Sequence, residues 1–216
     1  MNAVDRFVIY DNIEYTKKGW INRNRMLVNG EAAYMTIPLS KAPDDSAVCE
    51  RYLSDTFSEE RAKLLRRIEA AYRKAPYFTN TWPLLQEVLG YAGTDLFGFL
   101  HRSITLVAQY LGISTPIVIS SSINADHTLK GQERVIAICQ AIGATAYLNP
   151  PGGMDLYDTN RFNKQDISLY FLIPNDIDYI QFEQPFVPQL SILDVMMFNS
   201  SDRIQILLEQ YAERSV

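Results

Sequence analysis

Ile117-Val118-Ile119-Ser120-Ser121-Ser122, then a helix-period run over 131–142, then Ala146-Tyr147-Leu148: this stretch decides the fold. An unbroken β-branched apolar run is what a strand covered on both faces requires. Val135, Ile138, Cys139 and Ile142 fall on one face of the intervening helix, and Gly143 stops it. Strand, helix and strand in so short a span read as a βαβ crossover, with a parallel pair and a right-handed connection.

The same alternation continues outward. Phe7-Val8-Ile9-Tyr10 is another strand of the buried type. Arg25–Val28 and Ala33–Pro38 flank Asn29-Gly30, the strongest short hairpin signal, because both positions tolerate positive φ. A polar connection over 40–57 leads to a helix opening at Ser58-Glu59-Glu60, with Leu64, Leu65, Ile68, Ala71, Tyr72 and Ala75 on one face and Pro76 beyond it. A shorter helix over 80–89 stops at Gly90, and Thr94-Asp95 opens a third that Gly112 closes. Strands are expected at 168–173 and 178–182, then helices at 190–198 and 202–213. The expected fold is α/β and three-layered, a mostly parallel sheet with a hairpin and a helical middle segment, in one domain over residues 1–216.

Composition bounds the function. Of 216 residues, 47% are apolar and 21% charged, ordinary globular usage that excludes a disordered tail, a collagen-like rod or a coiled coil. Two cysteines, Cys49 and Cys139, are too few for a disulfide framework or a Cys-rich zinc site. The first residues lack the basic and apolar regions of a signal peptide, and no apolar run approaches the ~18 residues of a membrane span. A cytoplasmic protein is expected. A net charge of −5 argues against nucleic acid as a partner. Small molecules remain.

In parallel α/β sheets ligands bind beyond the carboxyl ends of the strands, which selects three loops. The first, over residues 11–25, holds four cations, three asparagines and Trp20. Arg23 and Arg25 lie on one side of an extended segment, so both forks can reach one phosphate or carboxylate; a solvated edge strand would show the same alternation. The second runs from Ser120–Ser122 to Lys130 and Arg134 at a helix start, where free N–H groups attract anions. The third, Asn149-Pro150-Pro151-Gly152-Gly153 with Tyr157 and Asp158, joins stiff proline to glycines that let a ligand approach the backbone. Neither GxxxxGK nor GxGxxG occurs, and no His, Cys and carboxylate spacing suggests a metal. His127, beside Asp126 in a loop, and His101, flanking an apolar helix, read mainly as structural.

Phe7–Asp11, Lys18-Gly19-Trp20-Ile21-Asn22-Arg23-Asn24-Arg25, Gln132-Glu133-Arg134, Tyr147-Leu148-Asn149 with Gly152-Gly153, and Leu190-Ser191-Ile192 with Asp194 and Met197-Phe198-Asn199 together resemble the WbqC-like family. The resemblance runs through nearly the whole chain, and the Gly-Trp-Ile-Asn-Arg-Asn-Arg block is its most specific part. Members are commonly encoded beside surface-polysaccharide and O-antigen genes, so the resemblance implies a role in lipopolysaccharide-type biosynthesis, with transfer of an aminoacyl group, glycyl among them, to an amino sugar. Members usually carry a strand and a Gln-Pro-rich loop ahead of Phe7, so this chain is expected to be N-terminally short. Its first strand would then expose an edge open to a second copy.

Two functions follow as expectations. In a transferase, Lys18, Arg23, Arg25, Lys130 and Arg134 hold an anionic nucleotide-linked sugar. Trp20 stacks on it, Asn22, Asn24, Asn149 and Tyr157 bond its hydroxyls, Gly152 and Gly153 approach the reacting carbonyl, and Asp11 or Asp194 takes a proton from the amine. In a non-catalytic accessory protein the same residues only bind. The sequence assigns no cofactor.

Overall fold

Over residues 7–149 the elements follow one another in the order the periodicities predict. The computed structural model describes residues 1–182 and 185–215. Its first half runs β1 (Phe7–Ile9), β2 (Arg23–Val28), β3 (Glu31–Thr36), α1 (Phe57–Tyr72), α2 (Phe78–Leu89) and α3 (Leu96–Tyr110). The second runs β4 (Ile117–Ile119), α4 (Gly131–Ala141), β5 (Ala146–Asn149), α5 (Thr159–Asn163), β6 (Ser168–Pro174), α6 (Ile192–Phe198), α7 (Ser201–Leu208) and β7 (Tyr211–Ser215). The class is α/β, with parallel strand pairs, a separate hairpin and a helical middle segment.

The residues group into two compact units. The first takes Met1–Tyr10, Thr115–Ile177 and the chain from Leu208 on; the second takes Asp11–Ser114 and Asp178–Leu207. In the first, β1 pairs parallel with β4, and β5 pairs parallel with β6, which pairs antiparallel with β7. Val135, Ile136 and Cys139 of α4 pack with Phe162, Leu169 and Phe171 beneath these strands. Phe162 and Phe171 are fully buried, each contributing about 1.5–3 kcal/mol relative to exposure. In the second unit, Asn29 and Gly30 take φ of 52° and 81°, the left-handed pair that a two-residue hairpin needs. That turn fixes the register, so Val28 faces Glu31 and Arg25 faces Tyr34. Met26 and Leu27 enter a core with Ile68, Tyr72, Leu96 and Phe99.

Three expectations are corrected. β4 and β5 are not a direct pair: their ladder partners are β1 and β6, so the parallel βαβ unit is the later one, β5–α5–β6. Residues 178–182 form no strand. Tyr179 and Gln181 instead turn their side chains to Asp194, and Phe182 leaves extended geometry at φ 49°. The last helix ends at Leu208 rather than 213, because Tyr211–Ser215 satisfies its backbone against β6, from Tyr211↔Pro174 to Ser215↔Tyr170. Among the described residues no helix is long and apolar enough to cross a membrane.

Candidate functional site

The specific block of the first loop builds a cation–aromatic face on the hairpin. The chain turns at Thr16–Gly19, where Gly19 N donates to Thr16 O. Arg23 clasps this turn, donating from Nε to Gly19 O at 2.8 Å and from Nη2 to Lys18 O. Its Cζ then lies 5.1 Å from the Tyr34 ring centre and 5.6 Å from that of Trp20, while Arg25 Cζ lies 5.4 Å from Trp20. Trp20 and Tyr34 stack at 6.1 Å and 28°. More than half of each ring residue remains exposed, 55% and 52%. A large aromatic pair left in water and backed by guanidinium charge is suited to stack on a sugar or base.

The other expected ligands in this loop divide. Arg23 and Arg25 do share one side of β2, yet both spend part of their forks internally. Arg25 Nη2 donates to Gln189 O at 2.8 Å and to Gln189 Oε1 at 3.2 Å. Asn22 is a brace: it accepts from Tyr15 Oη and donates to Ile37 O, both at 2.8 Å. Lys18 and Asn24 are exposed. Tyr34 escaped sequence reasoning although the Asn29-Gly30 register places it directly across from Arg25.

Of the expected bases, Asp194 is fully buried. It accepts from Tyr72 Oη at 2.7 Å, Tyr179 Oη at 2.8 Å and Gln181 Nε2 at 2.6 Å. Burial pushes its carboxyl above the ordinary range, outweighing these three donors. Three donors from distant segments make it a core acceptor rather than a group facing an incoming amine. Asp11 is 4% exposed and its carbonyl accepts from Cys49 N.

The second and third loops both lie in the first unit, with Lys130 exposed at the start of α4. Arg134 Cζ sits 5.3 Å from the ring centre of Tyr10, just past the carboxyl end of β1, and its Nη2 is 3.4 Å from His127 Nδ1. His127 Nε2 lies 2.9 Å from Ile123 O. A carbonyl only accepts and a guanidinium only donates, so the His127 proton is assigned to Nε2. His127, read as a structural loop residue, thus orients Arg134. Tyr10 is pushed up to about 12 by burial, which the Arg134 charge partly offsets.

At the end of β5, Tyr147 Oη donates to Asn149 Oδ1 at 3.2 Å. Gly153 is buried, and a Cβ there would meet Asn149 Nδ2 at 2.1 Å and Tyr157 Cε2 at 3.0 Å; Gly152 faces open space. Tyr157 packs edge-on against Tyr147 and Phe162, each at 5.8 Å. Asp158 N donates to Gln132 Oε1 at 2.9 Å, tying this loop to α4. Two strand ends of one unit thus bring together a guanidinium, phenols and a carboxamide, donors suited to an oxyanion or to sugar hydroxyls. Among the described residues no group of three His, Cys, Asp or Glu is placed to hold a metal.

An uncharacterized protein of Mycobacterium tuberculosis, Rv1507c, is 30% identical to this chain over 198 residues, which are 91% of this chain and 84% of that protein. No solved structure matches the chain. The WbqC-like protein family model matches residues 1–206, nearly the whole sequence, and the chain belongs to that family.

Proposed function

We propose that the protein is a cytoplasmic transferase of surface-polysaccharide biosynthesis that joins an aminoacyl group, glycyl being the smallest, to an amino sugar carried on a nucleotide. The amine nitrogen attacks the carbonyl carbon of an activated aminoacyl donor. The new C–N bond forms as the donor's leaving group departs with its electron pair, and the amine proton passes to a base, the role assigned to Asp11. One observation carries the ligand side of this reading: the half-exposed Trp20–Tyr34 stack backed by Arg23 and Arg25. It would hold the sugar or base by its face, with Lys18 and Asn24 beside it. Lys130, Arg134, Asn149, Gly152, Gly153 and Tyr157 would serve the same ligand class in the other unit.

The test incubates purified protein with an activated glycyl donor, glycyl adenylate, and an amino-sugar nucleotide and follows amide formation and AMP release by mass spectrometry. Amide that disappears in Trp20→Ala supports the reading. A second reading, a non-catalytic binding accessory, is favoured by the burial of both expected bases. It predicts calorimetric binding of the same sugar nucleotide with no amide product.

A further inference from the structure

Arg51 is 3% exposed, and its Nε and Nη2 are buried with no hydrogen-bond partner among the described residues. These two nitrogens share one edge of the guanidinium, the edge whose parallel N–H bonds reach both oxygens of a carboxylate or phosphoryl group. The Tyr15 ring centre lies 4.5 Å from Cζ and answers the face of the cation, but it leaves the in-plane donors unmet. The neighbouring carboxylate on the chain, Glu50, is already taken by Ala47 N at 2.8 Å. A buried cation with unpaired donors is costly, and native interiors keep few of them without an occupant.

The turn leading to Arg51 is tied to the Asp11–Tyr15 segment by backbone bonds from Tyr15 N to Ser46 O, Val48 N to Ile13 O and Cys49 N to Asp11 O. The residues either side of Arg51, Glu50 and Tyr52, line a cleft of about 540 Å³ together with Pro43, Asp45, Ser46 and Cys49.

We propose that Arg51 is an oxyanion receptor, binding the carboxylate or phosphoryl group of a small ligand through Nε–H and Nη2–H with the Tyr15 ring against its face. This goes beyond the transferase reading and stands or falls separately from it, because its test involves no turnover. Thermal unfolding of the full chain is followed in inorganic phosphate, in acetate and in chloride at equal ionic strength. One of the two oxyanions is expected to raise the midpoint by about 2–4 °C over chloride. A response to phosphate alone identifies a phosphoryl ligand, and one to acetate alone a carboxylate. Arg51→Met is expected to unfold no lower than wild type in chloride and to lose the response. Arg51→Lys, which keeps the charge without the fork, should lose most of it even if the Met variant does not fold. Absence of any oxyanion response in wild type, or an undiminished response in Arg51→Lys, overturns the proposal.

Discussion

Tyr72 and Asp194, 122 residues apart in the sequence, share a 2.7 Å hydrogen bond inside the second unit, and the same Tyr72 oxygen accepts from Leu27 N at 2.7 Å. One phenol thereby joins α1, the hairpin strand β2 and helix α6. Tyr72→Phe keeps the ring but leaves Leu27 N and one Asp194 oxygen short of a partner. The expected cost is about 1–3 kcal/mol. Asp194→Ala strands three donors at once and should cost about 3–5 kcal/mol. Urea unfolding followed by tryptophan fluorescence measures both. A loss below about 0.5 kcal/mol for Asp194→Ala, within the range of ordinary surface changes, would remove this network from the account of the core.

The same carboxyl predicts a pH dependence. Burial raises its folded value above the ordinary 3.8, so over the interval between the two values the folded chain holds more of this proton than the unfolded chain. The stabilisation is complete below the unfolded value and is lost as pH rises through the folded one. Wild-type stability minus that of Asp194→Asn should therefore decline with increasing pH from about 4 upward and then level off. Denaturant titrations across this range test it, and a difference that climbs with pH would contradict the direction of the shift.

What was legible followed from local chemistry. Asn29-Gly30 announced its hairpin because readiness to take left-handed φ is a local property of an Asn-Gly pair, and both residues take it here. The loops at the ends of β1 and β5 were found because the strands were. Tyr211–Glu213 was misread as helix since what makes it a strand is the open edge of β6, and a remote partner leaves no trace in local periodicity. Asp194 was read as a base for an incoming amine because the three donors that hold it come from positions 72, 179 and 181 and leave no mark on its local sequence. Arg51 was passed over because an arginine in a polar connection looks solvated until its burial is seen.

Asn22 and Asn24 stand two residues apart and separate scaffold from surface. Asn22→Ala breaks the link between Tyr15 and Ile37 and should cost about 1–3 kcal/mol. Asn24 is exposed and its side-chain Oδ1 accepts from the neighbouring Arg25 N at 2.9 Å, so Asn24→Ala should stay within about 0.5 kcal/mol of wild type. Equal costs in urea unfolding would mean that Asn22 is not the brace described.

At Gly153 the atom in the way is the end of a side chain. An added Cβ meets the Asn149 carboxamide first, so Gly153→Ala should swing that amide away and break its bond from Tyr147, at a cost of about 1 kcal/mol. In an Asn149→Ala background the collision is absent and the same substitution should cost less. A double-mutant cycle reads the difference directly. Additive losses would show that the glycine is needed for its backbone and not for the room it leaves Asn149.

Trp20 gives the sharpest separation of binding from folding. Its ring is more than half exposed, so Trp20→Ala should change stability by less than about 1 kcal/mol. A stacked base or sugar lost with it would weaken sugar-nucleotide affinity by about 5- to 150-fold, the equivalent of 1–3 kcal/mol. The other tryptophan, Trp82, stacks on Phe78 at 5.1 Å within α2, so Trp82→Phe leaves Trp20 as the single reporter. Its fluorescence should then quench in proportion to ligand bound, with the midpoint matching calorimetry. Binding that persists at wild-type affinity in Trp20→Ala would place the ligand elsewhere, because Trp20 is the ring that meets both Arg23 and Arg25, whereas Tyr34 meets Arg23.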